Sequence, residues 1–142
     1  MPAMTDAEAL AFIGAVPART AKLATVARDG APRVAPVWVA LDGGDIVFNT
    51  GEATAKGKAL RRDPRVSLCF DDETPPFSFV IVQGVATLSD DLDEVARWAA
   101  IIGGRYMGAD RAGEYGRRNG VPGELLVRVT PTKIISARDL AD

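Results

Sequence analysis

The pattern of apolar and polar positions divides this chain into short β-branched runs bounded by turn residues, with a few stretches of helical spacing between them. Thr5-Asp6-Ala-Glu-Ala-Leu10-Ala-Phe12-Ile13 opens with a cap residue and early acids and then spaces its apolar groups on one face, which predicts a first helix of about ten residues stopped by Pro17. Lys22–Val26 reads as a strand, Arg28-Asp29-Gly30-Ala31-Pro32 as a turn, and Arg33-Val-Ala-Pro-Val-Trp-Val-Ala40 as the returning arm of a hairpin. Asp42-Gly43-Gly44-Asp45 is a second tight turn leading to a strand at Ile46–Thr50, so the simplest arrangement is a three-stranded meander.

Beyond a basic helix in the segment Thr54–Arg65, the runs Arg65–Phe70 and Phe77–Leu88 predict two more strands, the second interrupted by Gly84. A glycine inside a strand permits a bend or bulge, which suits a curved sheet. Asp90 and Asp91 can cap a helix over about Leu92–Tyr106, with Val95, Trp98, Ala99 and Ile102 at helical spacing and Gly103-Gly104 weakening its end. Residues 109–119 read as a polar helical turn, and Glu124–Thr130 and Lys133–Ser136 as closing strands. Six or seven antiparallel strands with short turns and peripheral helices predict a mainly β fold, a closed or nearly closed barrel in one domain spanning residues 1–142. Consecutive hairpins at the start argue against a doubly wound α/β fold.

Composition narrows the chemistry. A net charge of −2 argues against a general nucleic-acid binder, whose phosphate contacts demand a basic surface, so any anion site must be local. Histidine is absent, which removes Ser-His-Asp and Cys-His catalysis and the commonest transition-metal ligand. The acids Asp71, Asp72 and Glu73 before Pro75-Pro76 read as a solvated turn rather than a metal site. Cys69, in an apolar run, reads as a small buried hydrophobe. No basic leader and no apolar stretch near the ~20 residues of a membrane span is visible, so the expected location is the cytoplasm.

Charge is concentrated in Thr54-Ala-Lys56-Gly-Lys58-Ala-Leu60-Arg61-Arg62-Asp63-Pro64-Arg65, which holds five of the 17 Lys and Arg residues. Thr54, Ala55, Lys56 and Lys58 stand at the amino end of the helix, where free amides and the macrodipole attract a phosphate. Lysines there oppose the dipole, as a helix selected for stability alone would seldom do, whereas Arg61 and Arg62 at the other end complement it. An ordinary solvated helix fits the same run. The motif is not a P-loop, because it lacks the glycine-rich loop ending in Gly-Lys-Ser/Thr. The second constellation is Arg33–Trp38: Pro36 in a strand frees backbone groups, and Trp38 could stack on a planar ring or fill a core or subunit interface.

Leu23–Pro32, Pro36-Val37-Trp38, Gly51–Ser67 and Val82–Ala86, in this order, resemble the pyridoxamine 5′-phosphate oxidase-like split β-barrel family, and within it the branch that uses the deazaflavin coenzyme F420. The run from Lys56 through Leu60-Arg61-Arg62-Asp63-Pro64-Arg65 is its most specific part. The resemblance implies a homodimer with cofactors in grooves between subunits. It assigns the cofactor phosphate to Thr54, Ala55, Lys56 and Lys58, the ribityl chain to Asn49 and Thr50, and the ring to Val34 through Trp38, including Pro36 and Val37. The implied activity is hydride transfer between F420 and an unsaturated or conjugated small molecule. FMN in the same fold, or a flavin-type binding protein without turnover, are the alternatives. No residue is assigned a catalytic role; Tyr106 and Tyr115 are the polar side chains weighed as proton donors. An anionic cofactor tail would need a cationic track, for which Arg61, Arg62 and Arg65, or Arg117 and Arg118, are available.

Overall fold

Thr5 starts the first helix by a reciprocal cap: its hydroxyl accepts from the Glu8 amide while the Glu8 carboxylate accepts from its own amide, and α1 then runs Asp6–Ile13. The computed structural model describes residues 2–142. Seven strands follow: β1 (Ala21–Val26), β2 (Pro32–Val37), β3 (Ala40–Asp42), β4 (Asp45–Gly51), β5 (Arg65–Asp72), β6 (Ser78–Ser89) and β7 (Glu124–Ala137). Between them stand α2 (Ala55–Arg62), α3 (Leu92–Met107) and α4 (Ala112–Asn119), the last preceded by a 3₁₀ turn.

All pairings are antiparallel, in the order β2-β1-β5-β6-β7-β4-β3. This is a strongly curved sheet of split-barrel type, and its ladder does not close. The inner face carries Leu23, Phe48, Leu68, Phe70, Val80, Val82, Val127 and Val129, plugged by Ala9 and Ile13 of α1 and Leu60 of α2. A second cluster lies outside the barrel, where Val95, Trp98 and Ile102 of α3 cover Ala40, Val47 and Leu126. The register shifts at Gln83/Gly84, and a Cβ at Gly84 would strike the Thr130 carbonyl oxygen, so the glycine lets the β7 backbone approach closely.

Four expectations change. The arm 33–40 is two strands, and the meander does not form: β4 pairs with β7 and β3, while β2 lies at the opposite end of the ladder. The reason is that Val37 and Val39 both turn inward, which strict alternation could satisfy in one strand, but the chain between them crosses from one end of the sheet to the other. The two closing strands are one, with Thr132 as the extra, unpaired residue of β7 opposite Gln83 and Gly84. Gly103 does not weaken α3; a Cβ there would collide with the Tyr115 ring, so the glycine is what lets α4 dock. Cys69 is half-buried on the outer face, between the inward Leu68 and Phe70, where burial and Asp71 push its thiol pKa up against the pull of Lys22.

Candidate functional site

The site grows from the junction of β4 and α2. Thr54 is the N-cap of α2: its hydroxyl accepts from the Gly57 amide at 3.1 Å and donates to the Gly51 carbonyl at 2.7 Å, with the Thr50 hydroxyl 3.3 Å away. The Lys58 amide bonds back to the Thr54 carbonyl. Helix geometry leaves the amides of Ala55 and Lys56 without intrahelical partners. Gly57 is required here, because a Cβ would strike the Gly51 carbonyl oxygen; its absence lets the first turn of the helix rest on the strand end. Ala59 and Leu60 bury the opposite side of the helix, so its amino end is aimed outward by packing.

Beside it is a cavity of about 380 Å³ lined by Thr20, Pro36, Val37, Trp38, Asn49, Lys56, Ile102 and Asn119. Trp38 stacks on Tyr106 at 5.1 Å with a 3° interplanar angle and meets Tyr115 edge-on at 5.8 Å. The Asn49 amide nitrogen is sealed from solvent and has no hydrogen-bond partner among the described residues. An orphaned buried donor costs about 1–3 kcal/mol, which an acceptor on an occupant of the cavity would recover.

The charges around the site are unequal. Arg65 is held by Asp63 at 2.7 Å and Arg61 lies 3.9 Å from Glu52, while among the described residues Lys56, Lys58, Arg62, Arg117 and Arg118 have no carboxylate within 4.0 Å. Asp63, in return, is lowered to about 2, first by the side-chain hydrogen bond from Arg65 and then by its amide. Glu124, the register partner of Gly51, has its pKa raised by burial.

Of the residues singled out from the sequence, Pro36, Val37, Trp38, Asn49 and Lys56 share this cavity. Thr54, Ala55 and Lys58 are exposed and do not line it, and Thr50 is buried beneath Thr54. Val37 gives most of itself to the core, being 7% exposed. Val34 is 72% exposed on the outer face of β2, three residues before Val37 and away from the cavity lining. Arg117 and Arg118 stand in the last turn of α4, which ends at the lining residue Asn119, and neither lines the cavity. Thr20, Ile102 and Asn119 were not legible as site residues: each comes from a segment distant in sequence, and an Asn ending a helix before glycine reads locally as a cap.

A sheet of this topology, with a helix start beside an aromatic-walled cavity, defines a split β-barrel. The chain belongs to the pyridoxamine 5′-phosphate oxidase family, whose model matches residues 5–137. Among solved structures it is similar to the conserved hypothetical protein Rv2991 from Mycobacterium tuberculosis, at 28% identity and a TM-score of 0.83 over 98% of this chain and 89% of that one. An F420 reductase shares the fold at 24% identity and a TM-score of 0.66, over 82% of this chain and 89% of its own. So does a FAD-binding protein from Mesorhizobium loti, at 18% identity and 0.68, over 95% and 94%. No curated protein matches the sequence. Among the described residues no helix is long and apolar enough to cross a membrane.

Proposed function

We propose that this chain is a cytoplasmic oxidoreductase that holds a phosphate-bearing deazaflavin, coenzyme F420, and exchanges hydride with an unsaturated or conjugated small molecule. The observation that carries the reading is the one cavity that brings together an aromatic wall at Trp38, an unpaired donor at Asn49 and a free cation at Lys56 beside an open helix start. In this reading the amides of Ala55 and Lys56 and the two ammonium groups of Lys56 and Lys58 receive the phosphate, Thr54 and Thr50 set the turn that presents them, and Asn49 donates to an oxygen of the chain linking phosphate and ring. Pro36, Val37 and Trp38 orient the ring. The cofactor, when bound, supplies the carbon that takes or gives hydride, so the protein's share is position, dryness and charge. The family's membership among oxidoreductases and the shared fold of an F420 reductase support this.

The homodimer belongs to the same proposal. Val34, Ala24, Val26, Cys69, Ile81 and Val85 put apolar atoms on the outer face of β2, β1, β5 and β6, which supports a second copy seated there that completes the groove. FMN is favoured by one feature: Arg65 is engaged by Asp63 and Arg61 stands 3.9 Å from Glu52, which leaves Arg62, Arg117 and Arg118 as the candidates for an anionic tail that have no acidic partner among the described residues. The test is fluorescence titration of the cofactor-free protein with F420 and with FMN, followed by oxidation of reduced cofactor by quinones and enones. Tight F420 binding with turnover is expected, and Lys56→Ala should weaken it by about 2–3 kcal/mol. Binding of FMN alone overturns the F420 reading, and binding without turnover overturns the enzymatic one.

A further inference from the structure

The stretch Trp38–Val39 links the two ends of the ladder, since β2 and β3 are the outermost strands at opposite sides. A backbone that crosses such a seam has no strand beside it, yet Val39 is fully buried, so its amide needs an acceptor that water cannot supply. Tyr106 provides it. The phenol oxygen accepts from the Val39 amide at 3.1 Å and donates to the Arg19 carbonyl at 2.7 Å, tying the seam to the segment that leads into β1. The neighbouring Arg105 donates to the carbonyls of Ile13 and Gly14 at 2.7 and 2.9 Å, so the last turn of α3 is also fastened to the end of α1.

The ring of the same tyrosine lies flat against Trp38 at 5.1 Å and 3°. Trp38 in turn lines the candidate cavity and is 36% exposed. One residue therefore fixes both the backbone that carries Trp38 and the plane of its indole. We propose that Tyr106 is a positioning residue: its hydroxyl staples the barrel seam and its ring sets the tilt of Trp38, so that the cavity presents a flat aromatic wall to a planar ligand. The proposal rests on the cofactor reading for its functional consequence, but not for its structural one. Tyr106 itself touches backbone and indole, and its phenol proton is engaged by Arg19, so it is not a proton donor to an occupant.

Two substitutions separate the parts. Tyr106→Phe keeps a ring and loses both hydrogen bonds, and Tyr106→Gln keeps a polar head and loses the ring. The Trp38 band in the near-ultraviolet circular dichroism of the cofactor-free protein is identified by its loss in Trp38→Phe, since Trp98 is the only other tryptophan. Both Tyr106 variants should change that band while far-ultraviolet spectra stay intact. Riboflavin and FMN should each lose affinity a few-fold in Tyr106→Phe and roughly tenfold in Tyr106→Gln, about the value of one aromatic pair, and by the same factor for both ligands because the defect is at the ring. Lys56→Ala, by contrast, should weaken FMN and leave riboflavin unchanged. If either folded variant keeps the wild-type Trp38 band, the proposal is overturned. It is equally overturned if the band changes while the affinity for whichever cofactor the wild type binds, F420 or FMN, holds. Should the wild type bind neither flavin nor F420, the cofactor reading fails, and a changed Trp38 band still upholds Tyr106 as the element that orients this wall.

Discussion

The outer surface of the barrel has two halves built from the same kind of strand and finished in different ways. On β3, β4 and β7 the outward residues Ala40, Val47 and Leu126 are 4%, 0% and 2% exposed, because α3 lays Val95, Trp98 and Ile102 over them. The rim of this half is tied by Arg128, which reaches Asp42 at 2.7 Å, Asp45 at 3.4 Å and Glu94 at 3.8 Å. On β2, β1, β5 and β6 the outward positions are Val34, Ala24, Cys69, Ile81 and Val85, and Val34 and Val85 remain 72% and 41% exposed. Lys22 pairs with Asp71 at 2.8 Å on that face, and Arg65 at the start of β5 is held by Asp63 at 2.7 Å. The difference teaches that alternation marks a strand and its inner face but says nothing of what covers the outer one. Where the chain supplies its own helix the apolar surface adds to the stability of one protomer; where it supplies none, the surface is available to another molecule.

Cutting the covered half should have the largest effect. Trp98→Ala removes the centre of the α3 contact and is expected to cost about 3–5 kcal/mol in denaturant unfolding, independent of protein concentration. Next comes the open half. Ile81→Asp should cost the isolated protomer only about 1 kcal/mol, yet disrupt self-association outright, because a second copy would have to bury an unpaired carboxylate. Sedimentation across a concentration series checks this, and an unchanged association constant would place the dimer contact elsewhere. The smallest effect lies at the exposed turn into β5. The Asp63 carboxyl is lowered to about 2 by Arg65, below an unfolded value of about 3.9, so its contribution is complete above pH ~4 and fades as pH falls toward 2. Asp63→Asn should lose this small contribution in full at neutral pH, and its acid-unfolding curve should lose the slope between pH ~4 and 2 and converge there on that of the wild type.

How much of the site could be read in advance follows from the range of the interactions. Lys56 and Lys58 were legible because a helix start is a local event, fixed by Thr54 and three following residues. Pro36 and Trp38 were legible as an interruption, but the reason for the interruption was not. That the chain leaves one end of the sheet at Val37 and enters the other at Ala40 depends on β5, β6 and β7 filling the space between, and no pattern within residues 33–40 encodes it. Asn119 and Tyr106 meet Trp38 across more than sixty residues, through α3 and its packing on α4. The same limit explains Cys69: its run is apolar, but alternation gives Leu68 and Phe70 the core and turns the thiol outward.

The sequence by itself determined the number of strands to within a split and a fusion, the caps of α1 and α3, the irregularity at Gly84 and the local excess of positive charge at α2. All of these rest on interactions between residues a few positions apart. Only the tertiary structure decided which strands are neighbours, which outer face keeps a helix, and that Trp38, Asn49, Lys56 and Asn119 share one cavity. Those outcomes depend on burying every inner face at once, and the free energy of that packing belongs to the whole sheet rather than to any segment of it.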